Sequence, residues 1–351
     1  MSASDFYIAA NDEHGLVPPT PGKRTPVMPY LNRAIYENEF NRPAKIRFMI
    51  ALLRCGFRVF DVHPELSDTS ISTRVARVNA QGVSLLATFA YNAFGNGESF
   101  NSVNGLITYF SPANRYSDRS RILSEEVYLA ILNNSLQKTG RGVSTVSIGV
   151  LDNVNCPSTL IEAGFMTNLV EARLMLDPDW VESIGEASAM GICNNLSVEF
   201  TDGTNLSAYP TLRRGSRGNY VRIAQYYLLL YGYNVTADGV FGPNTDTAVR
   251  SFQTFNGLTS DGVIGRQTWS KLLMLNPEAN VLRTGRRGTD VYFLQQKLNS
   301  KLYPALVDGV FGSGTEAQVK AFQSESGISA DGIVGPLTWS KILSLSSPRT
   351  P

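Results

Sequence analysis

The chain repeats itself over its last third, and that duplication limits the fold more than any other feature. Gly215, Gly218, Gln225, Asp238-Gly239, Phe241-Gly242, Thr245, Phe252-Gln253, Asp261-Gly262, Gly265 and Thr268-Trp269 return 70 residues later as Gly285, Gly288, Gln295, Asp308-Gly309, Phe311-Gly312, Thr315, Phe322-Gln323, Asp331-Gly332, Gly335 and Thr338-Trp339. The register holds from the first glycines to the tryptophans without insertion, so both copies take one fold. Their Asp-Gly pairs lack the ligand spacing of a calcium loop and read as turns between short helical patterns, at 221–230 and 245–256 in the first copy. This predicts a small all-α, three-helix module per copy. Phe241, Phe252 and Trp269, with Phe311, Phe322 and Trp339, belong to the cores, and Tyr220, Tyr226 and Tyr292 are the exposed rings available for stacking on sugars.

The polar segment 201–210, with its glycine and proline, is a linker. The expected organisation is a domain at 1–196, a linker at 197–212, repeats at 213–275 and 283–345 joined by 276–282, and a tail at 346–351. In the first domain, apolar runs at 6–10, 57–62, 83–90, 107–110 and 159–162 read as strands. They alternate with helical patterns from the segment 35–41 to a C-cap at Gly56, through Ile71, Val75 and Val78, from 121 to 139 with an end at Gly140, and from 171 to 196. A prolyl loop at 18–26 interrupts the first crossover. Such alternation predicts an α/β fold, a mostly parallel sheet with helices on both faces.

Lys and Arg total 31 against 30 Asp and Glu, so a formal charge of +1 gives no electrostatic case for nucleic acid or an anionic membrane. No run approaches the length of a membrane span. The first ten residues lack the basic and apolar regions of a secretory signal, and the expectation is synthesis in the cytoplasm without a signal peptide. Cys55, Cys156 and Cys193 form no Cys-x-x-Cys pair and read as small buried hydrophobes.

Chemistry enters at Thr159-Leu-Ile-Glu162-Ala-Gly-Phe-Met-Thr-Asn168, an apolar run ending on a carboxylate and breaking at a glycine. In open α/β sheets, reacting groups collect at the carboxyl ends of the strands. Glu162 therefore stands where a general base is useful, and His14 follows the first strand in the same way.

The set Asn11-Asp-Glu-His14-Gly15, Thr20-Pro-Gly-Lys-Arg-Thr-Pro26, Glu37-Asn-Glu-Phe-Asn41, Asp68-Thr-Ser-Ile-Ser-Thr-Arg74, Tyr91-Asn-Ala93 and Leu160-Ile-Glu162-Ala-Gly-Phe-Met-Thr-Asn168 resembles the zinc-dependent N-acetylmuramoyl-L-alanine amidases of phage endolysins and bacterial autolysins. The two repeats likewise resemble the peptidoglycan-binding module fused to such enzymes. The resemblance implies a peptidoglycan hydrolase acting on the bacterial cell wall, with a zinc-activated water cutting the bond between muramic acid and L-alanine. It implies His14 and Glu37 as zinc ligands, Glu39 as the fallback, and Glu162 as general base and then acid. The family's Ser-Ile-His-x-Asn-Ala aligns with Thr88-Phe-Ala90-Tyr-Asn-Ala93, so Ala90 stands at the third-ligand position. A methyl group binds no metal, and the chain is expected to be impaired, either by an inactivating exchange or as a non-catalytic wall-binding protein. Two other residues could bear on the lost ligand: His63, following the second strand, as a replacement, and Cys156, read as an inert thiol.

Overall fold

The computed structural model describes residues 2–15, 23–274 and 277–345. The tail at 346–351, residues 18–22 of the prolyl loop and residue 276 of the short linker lie outside the described residues. The chain divides into two compact units, one of residues 1–28, 33–175 and 179–201, the other of residues 29–32, 176–178 and 202–351.

The described residues of the first unit hold six strands: β1 (Tyr7–Asp12), β2 (Arg58–Asp61), β3 (Leu85–Asn92), β4 (Leu106–Phe110), β5 (Gly140–Thr145) and β6 (Ser158–Phe165). They form one sheet in the order β2-β1-β3-β6-β4-β5. Neighbours run parallel except β4 and β6, which are antiparallel. The mostly parallel sheet expected from the alternation is therefore present. The inner strands β1 and β3 are apolar along their length because both edges are paired and both faces covered; Ile8, Ala9, Ala10, Leu86 and Ala87 are fully buried.

Among the described residues six α-helices accompany the sheet: α1 (Asn38–Arg54), α2 (Ile71–Gln81), α3 (Ser117–Asn134), α4 (Gly149–Asp152), α5 (Leu169–Leu174) and α6 (Pro178–Leu196). Phe48 of α1 meets Phe89 of β3 with ring centroids 5.2 Å apart. Helix α6 lies against α1 and α3 through glycines. A Cβ at Gly185 would come 2.6 Å from Cβ of Arg47, and one at Gly191 would come 2.6 Å from Cα of Val127. Val78 of α2 and Val150 and Leu151 of α4 share a buried cluster with Ala9, Leu86 and Leu160, the side of the strands facing away from Phe89 by the two-residue alternation.

Several boundaries differ from the sequence reading. Helix α3 ends at Asn134, where Ser135 turns extended, and Gly140 opens β5 instead of closing a helix. The Tyr128 hydroxyl occupies the place a side chain at Gly140 would need. Strand β5 is a half-exposed edge of Gly, Arg, Ser and Thr, so it carries no apolar alternation to read. The expected helix 171–196 breaks into α5 and α6 at Asp177-Pro178, because proline supplies no amide and disfavours helical backbone before it. Glu162 lies within β6, which continues through Gly164 to Phe165 instead of breaking there. The three cysteines are free; Cys156 and Cys193 are buried and Cys55 is half-buried.

The second unit carries α7 (Asn219–Leu230), α8 (Pro243–Phe255) and α9 (Arg266–Leu272), followed by α10 (Thr289–Ser300), α11 (Ser313–Glu325) and α12 (Pro336–Leu343). The three-helix repeats expected from the duplication are thus present. A finer repeat lies inside them. Gln225 Nε2 donates to the Asp238 carboxylate, the Val240 carbonyl and the Thr245 hydroxyl at 2.9, 3.1 and 3.0 Å. Gln253 does the same to Asp261, Val263 and Thr268, Gln295 to Asp308, Val310 and Thr315, and Gln323 to Asp331, Ile333 and Thr338. One buried amide thereby closes each Asp-Gly turn onto its helices. Trp269 and Trp339 fill the two cores and donate through Nε1 to the carbonyls of Pro210 and Asn280. Tyr226 is buried, so it is not a sugar-stacking ring; Tyr220 and Tyr292 are half-buried.

Candidate active site

The site begins where β1 ends. Asp12 is fully buried, accepts from Lys45 Nζ at 2.9 Å and Asn38 Nδ2 at 3.1 Å, and lies 3.0 Å from His63 Nδ1. Burial alone would raise the Asp12 pKa, but Lys45, His63 and Arg42 outweigh it and hold the carboxyl well below the usual range. This ionic cluster pins the strand end.

His14 follows in the left-handed region, with φ 59°, a conformation that costs a residue with a Cβ about 1 kcal/mol or more. Gly15 next to it packs where any Cβ would overlap the Asp68 backbone. Asn38 Nδ2 donates to the His14 carbonyl and Asn41 Nδ2 to that of Glu13, holding the turn. Imidazole Nε2 then stands 3.9 Å from Glu13 Oε2 and 3.9 Å from Glu37 Oε2, while Nδ1 stands 3.9 Å from Asp68 Oδ2. Burial, reinforced by the charge of Lys23, lowers the His14 pKa to about 4, so the ring is neutral at pH 7.

Glu37 lies just ahead of α1 and is buried. Its Oε1 accepts from Asn41 Nδ2 and from the Tyr91 amide, both at 2.9 Å, which ties the helix start to β3. That leaves Oε2 facing His14. Burial raises the Glu37 pKa, partly offset by these two hydrogen bonds. On β6, Glu162 pairs in register with Ala90 of β3, and its Oε2 is buried with no hydrogen-bond partner. Burial first, then the neighbouring Glu37 and Glu13, push its pKa well up. A cavity of about 310 Å³ opens beside Glu13 and His14, walled by Asp68, Ile71 and Arg74.

His14, Glu37, Ala90 and Glu162 thus lie together at the carboxyl end of β1, β3 and β6. Two others do not join them. Glu39, the fallback ligand, turns outward and pairs with Arg33 at 2.7 Å. His63 is fully buried with Nδ1 on Asp12 and Nε2 2.8 Å from the Ser67 carbonyl, so neither nitrogen is available to replace a ligand at position 90. Cys156 is a buried thiol pushed up to about 12 by burial, matching its inert reading. Glu13 went unnoticed in the sequence. Its only signal there is an acid placed between a buried strand and a histidine.

Among the described residues no group of three or more His, Cys, Asp or Glu side chains is arranged to hold a metal ion. The donor types alone suit a divalent cation. The site offers a neutral imidazole, and Glu13 Oε1 and Glu162 Oε2 are the buried carboxylate oxygens left without a hydrogen-bond partner among the described residues. The 3.9 Å spacings are at least about half an ångström wider than the roughly 3.3–3.4 Å between two ligands of a tetrahedral zinc.

A parallel-stranded α/β domain that gathers imidazole and buried carboxylates at the strand ends, followed by two helical repeats, defines the class. The chain belongs to the N-acetylmuramoyl-L-alanine amidase family, whose model matches residues 19–194. A peptidoglycan binding domain model matches residues 217–272 and again 287–342. Among curated relatives, the N-acetylmuramoyl-L-alanine amidase CwlM of Mycobacterium tuberculosis is 38% identical over 131 residues, covering 34% of this chain and 31% of its own. The N-acetylmuramoyl-L-alanine amidase CwlL of Bacillus licheniformis is 29% identical over 184 residues, covering 43% of this chain and 51% of its own. The chain thus spans about half or less of the length of these relatives. Among solved structures, the catalytic domain of CwlV, an N-acetylmuramoyl-L-alanine amidase from Bacillus (Paenibacillus) polymyxa var. colistinus, aligns with a TM-score of 0.47 at 19% identity, covering 55% of this chain and 99% of that one.

Proposed function

We propose that the chain is a peptidoglycan amidase that cuts the bond between the lactyl carbonyl of N-acetylmuramic acid and the nitrogen of L-alanine. The observation that carries this reading is the meeting of His14, Glu37 and the unpartnered Glu162 at one sheet edge, within the segment matched by the amidase family. His14 and Glu37 would hold zinc. When bound, that ion supplies Lewis-acid polarisation of the scissile carbonyl and a more acidic water. Glu162 moves the proton: Oε2 takes it from the attacking water and delivers it to the alanine nitrogen as the C–N bond breaks. Burial first, then the neighbouring Glu37 and Glu13, raise its proton affinity, as is common for groups that exchange protons in active sites.

The repeats would keep the chain on an insoluble wall and raise its local concentration there. A cleft of about 370 Å³, where Tyr231, Tyr233 and Phe255 face Tyr292, is the surface assigned to that contact.

Ala90 favours a second reading, a wall-binding protein that keeps the amidase fold without turnover, because its methyl group offers no donor beside Glu162. Mass spectrometry of purified peptidoglycan incubated with the chain separates the readings. Free lactyl ends on muramic acid with matching L-alanine amines support the amidase. New amino-acid carboxylates point instead to a stem-peptide metallopeptidase, and co-sedimentation with no new ends supports the binding protein.

A further inference from the structure

The position left empty by Ala90 has an acid beside it. The Glu13 amide donates to the Phe89 carbonyl at 3.0 Å, so the residue sits against β3 one step from Ala90. Its side chain is 11% exposed, too deep for water to satisfy freely. Oε1 has no hydrogen-bond partner among the described residues, and Oε2 lies as far from His14 Nε2 as Glu37 Oε2 does, 3.9 Å in each case. A buried carboxylate oxygen without a partner is costly, and fixed turn geometry around His14 and Gly15 keeps it there. Glu162 Oε2, the register neighbour of Ala90, is unsatisfied in the same way.

We propose that Glu13 supplies the third ligand that Ala90 does not, so that this chain binds a divalent cation through His14, Glu37 and Glu13 beside Glu162. The inference rests on the zinc reading above. One imidazole and two carboxylates remain a donor set that zinc accepts, although the added oxygen shifts preference towards harder ions such as manganese. Two carboxylates also offset the full charge of the ion, leaving less of it to act on a substrate than a neutral third imidazole would.

Zinc titration by calorimetry on the full chain, with Glu13→Gln, Ala90→His and the double variant, tests this. Thermal melts serve as the folding control, and the visible absorption of bound cobalt(II) reports the ligand set. The proposal expects one zinc per chain, affinity weakened at least about tenfold in Glu13→Gln, a changed cobalt spectrum, and recovery in the double variant through the new histidine. Equal affinity and an unchanged cobalt spectrum in Glu13→Gln would overturn it. If only the forms carrying Ala90→His bind zinc, Glu13 is no ligand while the zinc reading survives. If no form binds, both fall.

Discussion

Asp12 and Glu162 are both acids held deep at the ends of parallel strands, and they should answer neutralisation in opposite ways. Asp12 is satisfied from several sides by Lys45, Asn38 and His63. Asp12→Asn leaves Lys45 in an incomplete cluster and is expected to lower stability by about 3–5 kcal/mol, read from urea unfolding. Because the folded pKa of Asp12 lies below its unfolded value near 4, its contribution is fully present above that pH. It is lost as pH falls through the acid range, and the variant should lose part of that acid sensitivity. Glu162 holds an oxygen that no described residue satisfies. Glu162→Gln should leave the melting temperature unchanged or raised, while release of L-alanine amines falls about 10²- to 10⁴-fold. A drop in stability for Glu162→Gln comparable to that of Asp12→Asn would show Glu162 to be a structural residue.

Among the elements, the four glutamine clamps make the sharpest prediction. Gln253→Ala or Gln323→Ala strands a turn of carboxylate, carbonyl and hydroxyl, and each is expected to cost about 1–3 kcal/mol in thermal unfolding. Trp269→Ala should cost about 3–5 kcal/mol through the cavity it leaves. In the first unit, Gly185→Ala forces α6 off Arg47 and should cost about 1–3 kcal/mol. The parallel sheet was legible because doubly covered strands such as β1 and β3 are continuous apolar runs, and the repeats because their turn residues recur in fixed register. Strand β5 was not, since an edge with neither face buried carries no hydrophobic pattern. The break before Pro178 had a local signal, which the amphipathic pattern on either side masked. At the site, the motif residues were legible, whereas Glu13 acquires meaning only when the turn through His14 folds it against β3. The exclusion of His63 likewise depends on Asp12 and Ser67, contacts that no spacing in the chain reveals.

At the scale of the molecule, the family match puts an amidase-type unit and two peptidoglycan-binding repeats in one chain. If the repeats act as anchors, replacing both Trp269 and Trp339 with alanine should abolish sedimentation with cell walls. Turnover of a small soluble muropeptide should survive, since the residues placed at the site all belong to the other unit. The account turns on one quantity, the number of new L-alanine amino ends formed on insoluble peptidoglycan in the presence of zinc, measured with and without a chelator, for this chain and for Ala90→His. It predicts that ends appear for both forms, faster for the histidine form, and that the chelator abolishes them. Wall binding with no new ends from either form, or release that the chelator leaves untouched, would contradict it.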